Sequence, residues 1–194
     1  MPQQCCPVCS DPLALWPHCP NCEGRRWHLS AIVAGCRYQG VVRDLIQRFK
    51  YGRDQSLLPL LSSILVPALG DSRIAGRKFD AVVPVPLHPL REREREFNQA
   101  ALLASPVARH LGIPVIPMLA RTRRTAPQAG FDRRGRMENL EGAFELRSKK
   151  GVPEAASLLL VDDVTTTGAT LDACAAVLLQ EGASAVLAVT VARG

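Results

Sequence analysis

Aromatic residues are scarce in this chain: two Trp, two Tyr and five Phe among 194 residues. Stacking of bases on an aromatic platform is therefore not an obvious theme. No run of about 18 apolar residues occurs, so no membrane-spanning helix is expected. The first residues, Met1-Pro2-Gln3-Gln4-Cys5, do not place a basic segment ahead of an apolar one. No signal peptide is expected, and a cytoplasmic location follows. Internal repeats and low-complexity tracts are also lacking. No residue stands out as a nucleophile or a general base. His88, after a Pro-rich loop, is the nearest to a candidate base, but a lone loop histidine carries little weight.

What is present begins with cysteine. There are seven, an odd number, and five fall within the first 22 residues. In a cytoplasmic protein this argues for metal or free thiols rather than disulfides. Cys6-Pro7-Val8-Cys9 and Cys19-Pro20-Asn21-Cys22 are two C-P-x-C knuckles with nine residues between them. Paired motifs of this kind present four thiolates to a tetrahedral zinc ion, and proline favours the tight turn inside each pair. Cys5 stands beside Cys6, and His18 beside Cys19, as alternative ligands. The segment between the knuckles is too short and too polar to fold alone, so the metal would supply folding energy. Four thiolates fill the coordination sphere, which favours a structural over a catalytic site.

Apolar residues make up 47% of the chain, enough for a core, and the length fits one domain with an appendage. The formal net charge of +6 is concentrated. Between Arg91 and Arg136 lie ten arginines against four acidic residues, and Arg121–Arg136 alone carries six arginines against Asp132. A solvated basic surface is the common reason for such a run. An arginine field between two pieces of a phosphate-binding fold points instead to an anionic ligand.

The apolar patterning predicts a strand over 29–40 and a helix over Val41–Tyr51 that Gly52 ends. A second helix is expected over Gln55–Leu69. A strand over Phe79–Leu87 runs into Pro84 and Pro86. A helix over Phe97–Leu111 should be disturbed near Pro106. Short strands are expected at Ile113–Leu119 and Ala143–Leu146. Leu158–Val161 reads as the central strand, Leu171–Glu181 as its helix and Ala185–Ala192 as the last strand. This βαβα order implies a mainly parallel α/β sheet with helices on both faces. Ligands bind such sheets at the carboxyl ends of the strands, so Asp162, Asp163 and the Val85–His88 loop should share one rim.

The most informative stretch is Leu158-Leu159-Leu160-Val161-Asp162-Asp163-Val164-Thr165-Thr166-Thr167-Gly168-Ala169-Thr170. A buried apolar strand ends in two carboxylates, then in a turn of small hydroxyl residues that leads into a helix. Backbone N–H groups of such a turn and the helix N-terminus favour a phosphate. Threonine hydroxyls add donors, and Gly168 allows close approach. The two carboxylates can accept from sugar hydroxyls. On a purely structural reading, Thr170 would be a helix N-cap and the acidic pair would need a partner to relieve its repulsion.

This stretch resembles the phosphoribosyl-pyrophosphate (PRPP) signature of type I phosphoribosyltransferases. The resemblance implies that Asp162 and Asp163 bind the ribose hydroxyls. Thr165, Thr166, Thr167, Gly168, Ala169 and Thr170 would then wrap the 5-phosphate. Along nearly its whole length the chain resembles the ComF family, also described as GntX-like: phosphoribosyltransferase-fold proteins linked to competence and DNA uptake or use. The cysteine knuckles, Leu45–Gly52, Val83–His88 with Phe97-Asn98-Gln99, and Arg121–Phe144 each match a family block. One departure is Glu96, where the family usually has Gly. If that position needs positive φ or close phosphate approach, Glu interferes.

The resemblance implies a zinc-binding head over 1–28, with Cys6, Cys9, Cys19 and Cys22 as ligands, and a phosphoribosyltransferase-like domain over 29–194. PRPP would bind with Mg²⁺, and Pro86, Leu87, His88, Arg91, Arg95, Arg121, Arg123 and Arg124 would cover its pyrophosphate. A second reading makes the chain a module that handles single-stranded DNA on the same scaffold, together with competence or DNA-processing proteins. Lys50 lies in the block that resembles the family's lysine-tyrosine helix; its bland alternative is a helix-end cation favoured by the macrodipole. Phe97 reads as a core residue, and Asn98 and Gln99 either as exposed helix polars or as functional members of their family block.

Overall fold

The computed structural model describes residues 5–13, 18–123, 142–147 and 152–194. Its elements are β1 (Ile32–Arg37), α1 (Gly40–Tyr51), α2 (Leu58–Leu65), β2 (Ala81–Pro84), α3 (Pro89–Arg95), α4 (Gln99–Leu111), β3 (Leu119–Arg121), β4 (Phe144–Leu146), β5 (Ser157–Thr165), α5 (Ala169–Gln180) and β6 (Ala185–Arg193). Four strands form a parallel sheet in the order β1-β6-β5-β2. β3 and β4 form a separate antiparallel pair. The mainly parallel α/β architecture with helices on both faces is as the sequence implies. Among the described residues, no helix is long and apolar enough to cross a membrane.

β5 and β6 are central because their side chains are apolar on both faces. Leu158, Leu159, Leu160 and Val161 are all fully buried. Each such side chain contributes about 1.5–3 kcal/mol of transfer free energy. Successive residues alternate between two cores. Leu158 and Leu160 join Ile32, Leu171, Cys174 and Phe144 on the face covered by α5 and the β3–β4 pair. Leu159 and Val161 join Phe49, Leu61, Leu103 and Val107 on the face covered by α1, α2 and α4.

Several elements depart from their sequence expectations for identifiable reasons. The second helix is α only over Leu58–Leu65, with 3₁₀ turns at Gln55–Leu57 and Val66–Gly70. Pro59 and Pro67 each start a new turn there. α4 runs unbroken through Pro106, because Leu103 and Val107 on either side are fully buried. Ile113–Leu119 forms no full strand. Pro114 and Pro117 remove two donors, and what remains is a bridge from Val115 to Val82 and Leu119 as the first residue of β3. The central strand continues four residues past Val161, so Asp162 and Asp163 lie within it rather than beyond it.

Backbone closeness also shapes the α2–β1 contact. A Cβ at Gly35 would lie 2.6 Å from the Ile64 carbonyl oxygen and 2.8 Å from its Cγ2. At Gly70 a Cβ would meet nothing within 4 Å. Gly35→Ala is therefore expected to lower unfolding free energy by about 1–3 kcal/mol, as overpacking does. Gly70→Ala should change it by no more than about 0.5 kcal/mol. Urea melts of the two variants test this; equal stability would show that α2 slides freely on β1.

Candidate functional site

The pleat of β5 sends its two terminal carboxylates to opposite faces. Asp163 follows Leu159 and Val161 towards α1, where Lys50 Nζ lies 2.8 Å from its Oδ2. The side chains of Lys50 and Asp163 are only 16% and 3% exposed. Burial works against the Lys50 ammonium, but Asp163, and beyond it Asp162, hold its pKa above the ordinary lysine value. Asp163 Oδ1 accepts from the Val164 amide at 2.6 Å. The partner that the acidic pair requires is thus supplied from within the chain, and Lys50 does more than face a helix end.

Asp162 points to the other side and is half-buried. Burial and the adjacent Asp163 push its carboxyl up to about 8, with Lys50 pulling the other way. Its Oδ1 accepts from the Asp163 amide at 2.8 Å. Arg121, at the end of β3, stands near it. Burial and Arg91 depress the Arg121 pKa, while Asp162 opposes the shift. The Arg121 guanidinium also lies 5.4 Å from the centre of the Phe144 ring.

These groups line a cavity of about 230 Å³ at the carboxyl ends of β2 and β5. Its charged walls are Lys50, Arg91, Arg95, Arg121, Asp162 and Asp163, and Val85, Pro86 and Leu87 close one side. Four cations against two carboxylates leave a surplus suited to a polyanion. Arg91 and Arg95 reach it because they stand four residues apart on α3 and so share a face. Arg95 is buried, donates to Gln99 Oε1 at 2.9 Å and lies 4.9 Å from the Tyr51 ring centre. Gln99 is therefore buried structure and not an exposed polar. Asn98 caps α4, accepting from the Ala100 amide at 2.9 Å and donating to the Val85 carbonyl at 3.0 Å.

Beside this cavity lies a smaller one of about 40 Å³, lined by Thr165, Thr166, Thr167, Gly168, Ala169, Thr170 and Leu171. The two share Asp162, Val164 and Thr170. Gly168, not Thr170, is the N-cap of α5, with φ of 74° in the left-handed region. The space a Cβ would need there is filled by Trp27 and Ile32, both at 2.8 Å. Glycine is thus favoured both by the left-handed backbone and by the packing beneath the turn.

Two expected residues lie apart from the cavity walls. His88 Nδ1 accepts from the Leu90 amide at 3.3 Å and caps α3. Glu96 ends α3 with φ of 70°, a conformation that favours glycine. Its side chain leaves the site and pairs with Arg53, itself at φ of 53°. The interference expected from Glu96 is thereby directed outward. Arg123 is exposed. Arg124, Arg133, Arg134 and Arg136 lie outside the described residues.

In the head, Cys6, Cys9, Cys19 and Cys22 bring their Sγ atoms within 4.8 Å of one another. Cys6–Cys22 is 3.6 Å and Cys9–Cys19 is 3.5 Å. A zinc tetrahedron with bonds of about 2.3 Å has edges of roughly 3.8 Å, so the four sulfurs fit that ion. Cys5 instead bridges Pro12, and neither it nor His18 joins the cluster. Burial works against the Cys6 thiolate, but hydrogen bonds from the Cys9 and Val8 amides and with Cys22 and Cys19 lower its pKa below the ordinary thiol value, whereas burial and then Cys9 push Cys19 up to about 11.

Residues 98–194 match the phosphoribosyl transferase domain family. Competence protein F of Haemophilus influenzae is 32% identical over 91% of this chain and 79% of its own length. DNA utilization protein YhgH of Escherichia coli is 34% identical over 93% and 80%. Competence protein ComFC of Bacillus subtilis is 29% identical over 93% and 73%. The chain belongs to the ComF family and carries a phosphoribosyl transferase domain.

In this ComF-family chain the residue that patterning undervalued is Lys50. The signals were present, since an adjacent carboxylate pair needs a cation and Leu45–Gly52 matches a family block, but nothing in the sequence joined the two. Lys50→Met should strand a buried carboxylate and cost about 3–5 kcal/mol. Adding Asp163→Asn should recover most of that loss, because the uncompensated charge is then gone. Additive losses in a double-mutant cycle read by chemical denaturation would refute the pairing.

Proposed function

We propose that the chain binds PRPP and transfers its phosphoribosyl group, in the service of a cytoplasmic competence or DNA-utilisation pathway. The observation that carries this reading is the junction of the two cavities at Asp162, Val164 and Thr170. A sugar lying at that junction would put one phosphate in the small cradle and a second anionic group in the cation-lined cavity. The 5-phosphate would take main-chain and hydroxyl donors of Thr165–Thr170. Asp162 would accept from the ribose hydroxyls, with Asp163 behind it paired to Lys50. Arg91, Arg95 and Arg121 would meet the pyrophosphate, and Pro86 and Leu87 would exclude water from it.

The chemistry needs no nucleophile from the protein. As the bond from C1 to pyrophosphate breaks and C1 bonds to an acceptor atom, such as a nucleobase nitrogen, positive charge grows on the sugar and negative charge on the leaving group. Asp162 faces the first and the three arginines the second, so fixed charges favour the transition state. A half-buried carboxylate beside a pyrophosphate site is a fitting donor for Mg²⁺, which when bound neutralises pyrophosphate charge. The thiolate cluster of the head suits a structural zinc ion.

A DNA-handling role has separate support in the names of the relatives, one for DNA utilization and two for competence. In that reading the sugar-phosphate site takes a regulator or a single-strand terminus. Release of pyrophosphate from PRPP in the presence of nucleobases supports transfer. PRPP binding without release at any base supports the binding module.

Asp162 supplies a sharper test. Ribose hydroxyls and Mg²⁺ both bind its ionised form, whereas the free protein holds it protonated up to about pH 8. Binding then releases a proton, so PRPP affinity should rise with pH below 8 and level off above it. Calorimetry should show a rise of roughly 25-fold between pH 6.5 and 8.5. Asp162→Asn should bind more weakly and lose that slope. An Asn variant with an unchanged slope would remove Asp162 from the ribose site.

A further inference from the structure

The metal-binding head touches the phosphate cradle directly. The Thr167 main-chain carbonyl, in the middle of the Thr-rich turn, accepts from Arg25 Nη1 at 2.7 Å and from Asn21 Nδ2 at 3.3 Å. Both donors flank Cys22. The turn that projects them is tied by the Cys22 amide to the Cys19 carbonyl and by the Arg25 amide to the Cys22 carbonyl. Metal coordination at Cys19 and Cys22 would hold that same turn.

Arg25 is fixed on three sides. Its side chain is 3% exposed, its Nη2 lies 3.5 Å from Asp172 Oδ2, and its guanidinium sits 3.5 Å from the Trp27 ring centre. Asp172, in the first turn of α5, also accepts from the His28 amide at 2.8 Å and the Leu29 amide at 3.2 Å. Trp27 fills the space beneath Gly168. Head, turn and helix start thus share one network of buried partners.

The geometry has a consequence for ligand donors. A trans peptide holds its C=O and the following N–H on opposite sides. Drawing the Thr167 carbonyl towards the head turns the Gly168 N–H the other way, to the side of the cradle. We propose that Arg25, with Asn21 and Trp27, is a positioning group through which the metal-loaded head sets the Thr167–Gly168 peptide for phosphate binding. Metal in the head and a phosphoester in the cradle then bind with positive coupling, and each strengthens the other by the same factor. This rests on the reading of the cradle as the 5-phosphate site.

The full chain, loaded with zinc, is titrated with Mg²⁺–PRPP and with inorganic phosphate. In parallel, zinc transfer to a chromophoric chelator is followed with and without saturating PRPP. In the wild type, PRPP should lower zinc loss at equilibrium by about tenfold, within the usual range of coupling between sites. Arg25→Ala should keep one zinc per chain, bind PRPP and phosphate about tenfold more weakly, and lose the mutual effect. Arg25→Lys, which retains one donor to the carbonyl, should recover part of both. Asn21→Ala leaves Asp172 and Trp27 untouched and should show a smaller version of the same change. Wild-type PRPP affinity in Arg25→Ala at full zinc occupancy would overturn the proposal. So would zinc loss that is indifferent to PRPP in a wild type that binds it. A wild-type chain that binds neither PRPP nor phosphate would overturn the cradle reading itself, and this inference with it.

Discussion

The two-residue period of β5 is the constraint on which the site depends. A strand presents successive side chains to opposite faces, so the neighbouring carboxylates at its end meet different surroundings although both line one cavity. Asp163 turns towards α1 and is neutralised by Lys50 at 2.8 Å. Asp162 turns towards α5 and the β3–β4 pair, where it opens to the cavity. A register slip of one residue would exchange these roles and move each leucine beneath them into the opposite core. The four apolar residues before Asp162, each fully buried, make that slip costly.

The same alternation explains the uneven charge of the cavity. With Asp163 already balanced by Lys50, Asp162 is the carboxylate left to offset Arg91, Arg95 and Arg121. A site with spare positive charge and one readily protonated carboxyl is poised for an anionic sugar. The arginines are placed with similar economy. α3 is one short helix capped by His88 and ended at Glu96, yet it brings Arg91 and Arg95 to one face. The Arg53–Glu96 pair joins a left-handed residue just beyond α1 to the left-handed residue that ends α3. It thereby ties together the two helices that carry Lys50 and the arginines.

Much of this was legible in the sequence. The parallel sheet followed from apolar runs spaced by helical patterns, and the cluster of four cysteines from two C-P-x-C knuckles. The acidic strand end and the Thr-rich turn marked the rim where both cavities lie. What was not legible depends on contacts between distant segments. Lys50 lies 113 residues from Asp163 in the chain, and only the fold brings them together. Gly168 looked like a concession to a ligand, but Trp27 from the head occupies the space behind it. Pro106 would break an isolated helix, yet the buried side chains around it hold α4 in place. His88 appeared as a loop imidazole, and its capping bond to Leu90 appears only once α3 is seen to begin at Pro89.

The head, too, gains meaning from its contacts. Arg73 donates to the Cys6 and Pro7 carbonyls at 3.2 Å, and the Val8 carbonyl accepts from the Ile32 amide at 2.6 Å. The knuckle is therefore joined to β1 as well as to the phosphate turn. The most direct test of the paired-cavity site compares three ligands in the presence of Mg²⁺: PRPP, ribose 5-phosphate and pyrophosphate. If a sugar phosphate spans the junction at Asp162, both fragments displace PRPP, and ribose 5-phosphate and pyrophosphate bind together without displacing each other. Mutual displacement of the two fragments, or PRPP binding that neither fragment disturbs, would contradict a site built from these two cavities.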